Sequence, residues 1–103
     1  LPRPLPTRSA IRENQKLAEQ LATAGELWLR VGRSESGGQN LFRSARWVDR
    51  ESHDLSTLCR EGNLGVFPWL DPTSSRVITE FVTEGSASLV QELEREYLGR
   101  PEA

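Results

Sequence analysis

The sequence predicts a small α+β domain in which an antiparallel sheet of three to four strands is flanked by an N-terminal and a C-terminal helix. Apolar residues recur with helical spacing over residues 10–24 and 86–98, whereas they alternate with other residues over 25–32. A run rich in β-branched residues, 76–85, has the composition of a buried strand. Because helices lie at both ends of the chain and strands between them, this order favours an antiparallel sheet.

The two flanking helices are predicted from their boundaries as well as from their periodicity. Ser9 can cap the first helix, residues 10–24, and Gly25 is a typical helix stop. The apolar side of this helix is narrow and rich in alanine, so its packing partner must approach closely. Ser86 can cap the last helix, which Gly99 ends.

The middle of the chain is predicted to form a β-hairpin. Over residues 25–32, side chains on alternate positions are apolar, as in a strand. Residues 41–48 are interpreted as the second strand. The Gly-Gly pair in the segment 34–40 would form the connecting loop. A helix is the open alternative for the second segment. The residues that fit helical spacing there are Leu41, Ala45 and Val48.

The second half of the chain is predicted to add a short helix and one or two strands. Residues 52–61 form the helix, and Gly62 ends it. Pro68 interrupts the apolar run 66–70, which makes this run an edge strand or a packed loop. Residues 76–85 carry apolar side chains on both faces, so they are predicted to form a central strand.

The length and the charge distribution suit a single domain with an oriented surface. The 103 residues divide into an extended proline-rich arm, residues 1–8, and one α+β domain, residues 9–103. Residues 1–50 hold nine basic and five acidic side chains, whereas residues 51–103 hold four basic and ten acidic ones. Such a split is typical of a surface that faces a charged partner. Interleaving of the two halves in the fold is the simpler interpretation.

The composition argues against several kinds of site. The only cysteine, Cys59, cannot form an internal disulfide, and with one histidine, His53, the chain lacks the ligands of a zinc site. Cys59 shares an apolar stripe with its neighbours, which predicts an inert thiol rather than a nucleophile. We expect no cofactor, no membrane span and an intracellular location in an undetermined compartment.

The segment 36–39 reads SGGQ, as in the signature loop of ABC-type ATPases. In such loops, backbone N–H groups at a helix N-terminus face a γ-phosphate, and a P-loop lies opposite. This chain contains no GxxxxGK[ST] motif. We therefore do not interpret the segment as an ATPase signature.

The same region has a second resemblance, which implies ester hydrolysis. Residues 34–41 resemble the GGQ loop with which release-factor-like hydrolases cleave peptidyl-tRNA. The matching residues are Ser34, Gly37, Gly38, Gln39 and Asn40. The resemblance implies that the main-chain N–H of Gln39 stabilises an oxyanion. Glu35 and Phe42 depart from the family pattern, and the chain ends in an acidic segment rather than a basic tail.

Arginine and tryptophan side chains are concentrated between residues 28 and 50. The candidate anion-binding residues are Arg30, Arg43, Arg46 and Trp47. Together they could clamp a phosphate and stack a base. If 41–48 is a strand, however, Arg43 and Trp47 lie on one face and Arg46 lies on the other. Nucleic acid is therefore a disfavoured partner and the second functional alternative.

The surplus of aromatic side chains predicts a protein that docks onto other proteins. Aromatic residues on a proline-broken segment are typical of an interface. The predicted contacts are Phe67, Pro68, Trp69 and Leu70, together with the arm residues Pro2, Pro4 and Pro6. The open alternative is that Trp69 closes the core over the helix at residues 86–98. The sequence therefore favours a non-catalytic interaction module, such as a small subunit or an adaptor domain, whose partners are other protein subunits. Hydrolysis through Gln39 is the first alternative.

Overall fold

The computed structural model describes residues 5–99, which form an all-helical bundle without a strand. The elements within this range are α1 (Arg8–Arg30), α2 (Glu35–Arg50), α3 (Leu55–Arg60), a 3-10 turn (Leu64–Val66), α4 (Pro72–Glu84) and α5 (Ser88–Leu98). The predicted antiparallel sheet is therefore wrong, and the α+β class is corrected to all-α. The helices predicted at both ends of the chain are present.

The segment that was predicted as the central strand lies in α4. Val77 and Ile78 are buried, and Phe81 and Val82, four residues further on, are half-buried and pack against the same core. A spacing of one and four residues places all four side chains on one side of a helix. The pattern that suggested two apolar faces of a strand is thus a single broad face of a helix.

The predicted hairpin is a pair of antiparallel helices. Residues 25–30 are the last turns of α1, and residues 41–48 lie inside α2, where Leu41, Ala45 and Val48 are buried. Helical spacing is therefore the correct interpretation of the second segment. The predicted strand or packed loop around Pro68 is a 3-10 turn followed by an irregular connection.

Two glycines allow α1 and α2 to pack closely. Gly25 does not end α1 but is buried inside it, where an added Cβ would lie 3.2 Å from the Gly38 carbonyl oxygen and 3.3 Å from Cβ of Leu41. The two backbones therefore approach more closely than most side chains would allow. This agrees with the close approach expected from the alanine-rich face of α1.

Side-chain caps determine where the helices begin. Thr7, rather than Ser9, caps α1, since its Oγ1 accepts a hydrogen bond of 3.0 Å from the N–H of Ala10. Ser34 Oγ accepts from the N–H of Gly37 at 3.3 Å and starts α2. Asp54 and Asp71 cap α3 and α4 in the same way.

The core lies between α1 and the other four helices. Its most completely buried large apolar side chains are Leu17, Leu21, Leu41, Val48, Leu55, Val77, Ile78 and Leu93. Because α1 contacts every other helix, it acts as the central element of the bundle. Of the predicted arm, residues 1–4 lie outside the described residues, Leu5 to Thr7 are exposed and non-helical, and Arg8 already belongs to α1.

Candidate protein-interaction surface

Helix α2 presents a continuous arginine and tryptophan surface to solvent. Arg43, Arg46, Trp47 and Arg50 are all exposed, and their spacing of three, four and seven residues places them on one side of the helix. We call these four residues the α2 outer face. A strand would have divided them between two faces, whereas the helix brings them together. Within residues 5–99, none of its three arginines forms an ion pair.

The fourth predicted anion-binding residue lies apart from this surface. Arg30 ends α1, where its guanidinium donates a 2.8 Å hydrogen bond to Glu26 and a 3.3 Å bond to the hydroxyl of Tyr97. These two partners raise the pKa of Arg30, with the Tyr97 hydrogen bond as the larger cause. Arg30 therefore connects α1 to α5 and is not part of the α2 outer face.

Trp47 belongs to a series of aromatic rings in contact, of which only the pair with Trp69 is stacked. Its ring lies 6.1 Å from that of Trp69, with an interplanar angle of 23°. Trp69 in turn lies 5.3 Å from Phe67, which lies 5.9 Å from His53. The series runs from the core at Phe67, 9% exposed, to the surface at Trp47, 45% exposed. The indole of Trp47 is thus held in place by Trp69 while much of it stays open to a partner.

The predicted docking segment contributes less exposed surface than expected. Phe67 faces the core, whereas Pro68 is exposed, and Trp69 and Leu70 are half-buried and pack against the core. Of the predicted arm contacts, Pro6 is exposed, and Pro2 and Pro4 lie outside the described residues. Trp69 is therefore the residue of this segment that joins the candidate surface, through its contact with Trp47.

A groove of about 740 Å³ lies between α1 and α2, beside the α2 outer face. Its lining residues are Gln15, Ala18, Glu19, Ala22, Gln39, Phe42, Ala45, Arg46 and Asp49. Short apolar side chains form the floor, and polar or charged side chains form the two edges. Arg46 belongs to both the groove and the α2 outer face, so the two features are continuous. The sequence prediction missed this groove, although the alanine-rich face of α1 signalled it.

The GGQN segment has a packing role that explains its glycines. It comprises residues 37–40 and lies in the first two turns of α2, which Ser34 caps. A Cβ at Gly37 would lie 2.6 Å from Cζ2 of Trp28, and a Cβ at Gly38 would lie 2.6 Å from Cγ of Leu29. The predicted strand 25–32 and the loop that the hydrolase resemblance implies are replaced by two packed helices. Gln39 lies inside α2, at the edge of the groove.

Other reactive side chains are placed apart from this surface or are engaged in the fold. His53 Nδ1 lies 2.6 Å from Oε1 of Glu51, and Cys59 is half-buried with its Sγ 3.7 Å from Oγ1 of Thr79. Among residues 5–99, no three His, Cys, Asp or Glu side chains come together as a metal site. Within the same range, no helix has the length and apolar character needed to cross a membrane.

A second charged cluster joins α4 to the start of α5. Glu80 Oε1 accepts a 2.7 Å hydrogen bond from the backbone N–H of Ser88, and its Oε2 accepts a 2.8 Å bond from Nε of Arg76. The side-chain hydrogen bond of Ser88 is the largest cause that lowers the pKa of Glu80 to about 2, followed by the backbone N–H of Ser88 and the guanidinium of Arg76. Because Ala87 offers no side-chain cap, Glu80 takes over that role for α5.

Comparison with known proteins gives no functional assignment for this chain, so the proposal rests on its structure. No family model, curated protein or solved structure matches this chain.

Proposed function

We propose that this chain is a non-catalytic protein-interaction module whose contact surface is the α2 outer face together with Trp69. The observation that carries this proposal is the Trp47–Trp69 pair, in which one indole both stacks on its neighbour and is 45% exposed. Tryptophan and arginine are the residue types most enriched at the energetic centres of protein interfaces. A fixed indole also loses little conformational entropy when a partner covers it.

The three arginines of the α2 outer face indicate that the partner is acidic at this surface. Arg43, Arg46 and Arg50 have no ion-pair partner among the described residues, so their guanidinium groups are free to bind carboxylates. Asp49 lies between them on the helix and reduces the local positive charge. A partner protein that combines carboxylates with an apolar contact suits this mixed surface.

A protein partner is favoured over nucleic acid. Binding to single strands uses aromatic faces on which bases stack, together with a basic groove that follows the backbone. Here the Trp47 indole already stacks on Trp69, and the groove at the edge of the α2 outer face contains Glu19 and Asp49. The chain as a whole carries a net charge of −2.

Hydrolysis through Gln39 has less support than the interaction proposal. In a regular helix the N–H of residue 39 is directed at the carbonyl oxygen four residues earlier. It is therefore engaged in α2 instead of being directed at a substrate. The two preceding glycines are accounted for by contacts with Trp28 and Leu29.

The test is affinity capture of the tagged full chain from its native cell, compared between Trp47→Ala and Tyr97→Ala. Both variants remove an exposed aromatic side chain, but Tyr97 lies on α5. We expect a stoichiometric protein partner with the parent chain and with Tyr97→Ala, and its loss with Trp47→Ala, while circular dichroism stays unchanged. Equal recovery with both variants would contradict the proposal.

A titration with fluorescent single-stranded DNA tests the nucleic-acid alternative directly. Tight binding that falls steeply with salt and is lost in Arg43→Ala would replace the protein partner by nucleic acid. We expect no such binding near physiological salt.

A further inference from the structure

Resting on the proposed function, we infer that the groove between α1 and α2 takes an amphipathic helix of the partner protein. This partner helix has a narrow apolar ridge, and it carries carboxylates along the flank that lies next to α2. The inference names the kind of partner segment and the place where it lies, and both follow from the shape and the charges of the groove.

The shape of the groove suits a convex helix. Ala18, Ala22 and Ala45 leave room along its floor, and the half-buried ring of Phe42 supplies an apolar wall. Short side chains let a helix approach closely, so that its apolar ridge can lie between two existing helices. A second copy of the same concave face would leave a void instead of filling the groove.

The apolar surface continues beyond the groove along α1. Ile11 is 43% exposed, and it precedes Ala18 and Ala22 by seven and eleven residues. Such intervals keep side chains on one side of a helix. From residue 11 to residue 22 this line spans roughly 17 Å, which is about three helical turns of a partner.

The charges decide the orientation of the partner helix. Arg46 and Asp49 lie on the α2 edge of the groove. Arg43 and Arg50 lie one turn from Arg46 on either side, so three arginines outnumber one carboxylate along this flank. The α1 edge carries Gln15 and Glu19 instead. Carboxylates on the partner are therefore stabilised on the α2 side, and the partner flank next to α1 is polar or basic.

The probe is a synthetic helical peptide of about five turns. It has leucine and alanine along one ridge and glutamate along one flank, and a matched peptide carries lysine in place of glutamate. In a titration of the isotope-labelled full chain, we expect amide shifts concentrated at residues of α1 and α2 that line the groove. The glutamate peptide should bind at least about tenfold more tightly than the lysine peptide.

Matched variants connect the binding to the groove. Ala22→Trp fills the groove, whereas Thr23→Trp adds the same side chain to an exposed position outside it. Arg46→Glu reverses the charge at the groove edge. Arg60→Glu makes the same charge reversal on α3, outside the groove. We expect binding of the glutamate peptide to be lost in the first member of each pair and kept in the second, with helix content unchanged.

Three results would overturn the inference. The first is the absence of binding at peptide concentrations of about 1 mM. The second is binding that shifts only the Trp47 and Trp69 signals and is lost in Trp47→Ala but kept in Ala22→Trp, in which case the interaction surface stands and the groove does not. The third is a dimer of the free chain in sedimentation that Ala22→Trp dissociates, because the groove then belongs to a second copy. The capture experiment with Trp47→Ala tests the proposed function independently.

Discussion

The side chain of Asn14 accepts a hydrogen bond from the backbone N–H of Leu55, with 3.1 Å between Oδ1 and the nitrogen. Its Nδ2 donates to the carbonyl oxygens of Glu51 and His53, at 3.0 Å and 2.7 Å. One buried amide thus holds the connection between α2 and α3 against α1. A buried polar group is tolerated only when its hydrogen bonds are made, so we expect few substitutions of Asn14 to be tolerated.

Replacing Asn14 should therefore destabilise the fold more than its size suggests. Asn14→Ala leaves one N–H and two carbonyl groups without their partner, and we expect the free energy of unfolding to fall by about 2–4 kcal/mol. Urea denaturation followed by circular dichroism measures this loss. Gln15→Ala, on the exposed side of the same helix, is the control and should change stability by less than about 0.5 kcal/mol. Equal effects of the two substitutions would contradict the bracing role of Asn14.

The glycine at position 37 should be required for packing. In Gly37→Ala the new Cβ would meet the Trp28 indole at 2.6 Å, and the ring would have to move. That movement would break the 2.8 Å hydrogen bond from Trp28 Nε1 to the Ser34 carbonyl oxygen. We expect a loss of about 1–3 kcal/mol in spite of the higher helix propensity of alanine.

Thermal denaturation and tryptophan fluorescence test the role of Gly37. Gly65→Ala is the control, because a Cβ there has no neighbour within 4 Å. An unchanged melting temperature in Gly37→Ala would show that the ring adapts without cost. If Gly37→Ala lowers stability, a loss of hydrolysis in this variant could result from disturbed packing. It would then not by itself show that the GGQ segment is catalytic.

The sequence predicted the terminal helices but not the class of the fold, because local patterns with a period of two and of four overlap. Val77 and Phe81, or Ile78 and Val82, are four residues apart and satisfy both periods. The helical period is selected by the two ends of the segment, where Asp71 is the N-cap and Gly85, at φ 80°, is the C-cap. The stop assigned to Gly25 failed for a tertiary reason, since Gly38 of another helix lies against it.

The candidate site was predicted in part. Arg43, Arg46 and Trp47 were singled out by composition, and the helix then placed them on one face, which a strand would not have done. The contact between Trp47 and Trp69 joins positions 22 residues apart, and no local pattern signals it. Phe67, singled out with Trp69, faces the core because the 3-10 turn before it directs it inward.

The carboxylate of Glu80 should make stability depend on pH in the acidic range. Its pKa is lowered from the ordinary 4.5 to about 2 in the folded chain. The depressed value means that the ionised form stabilises the fold, fully above about pH 4.5 and progressively less as the pH falls toward 2. Glu80→Gln should therefore lower the melting temperature at neutral pH and have little effect near pH 2.

Comparison with Glu84→Gln isolates this contribution. Glu84 is exposed at the end of the same helix, so its substitution changes the charge of α4 without removing the cap of α5. Melting temperatures measured at several pH values should converge for parent and Glu80→Gln as the solution becomes acidic. A difference that stays constant with pH would contradict the role of the ionised carboxylate.

Arg33 should stabilise the fold, in contrast to the arginines of the α2 outer face. Its Nη2 lies 3.1 Å from Glu96 and 3.6 Å from Glu92, and its guanidinium carbon lies 5.1 Å from the centre of the Trp28 ring. These contacts connect the turn after α1 to α5. We expect Arg33→Ala to lower the free energy of unfolding by about 1 kcal/mol, and by less at high salt because ions screen the two carboxylates.

Arg43→Ala is the matched control for Arg33→Ala. Arg43 is exposed and makes no ion pair within the described residues, so its loss should change the free energy of unfolding by less than about 0.5 kcal/mol. Urea denaturation at low and high salt compares the two variants. A cost for Arg43→Ala as large as that for Arg33→Ala would mean that Arg43 supports the fold. A negligible cost, together with loss of the captured partner, would separate the two roles: Arg33 holds the bundle together, and Arg43 binds what lies outside it.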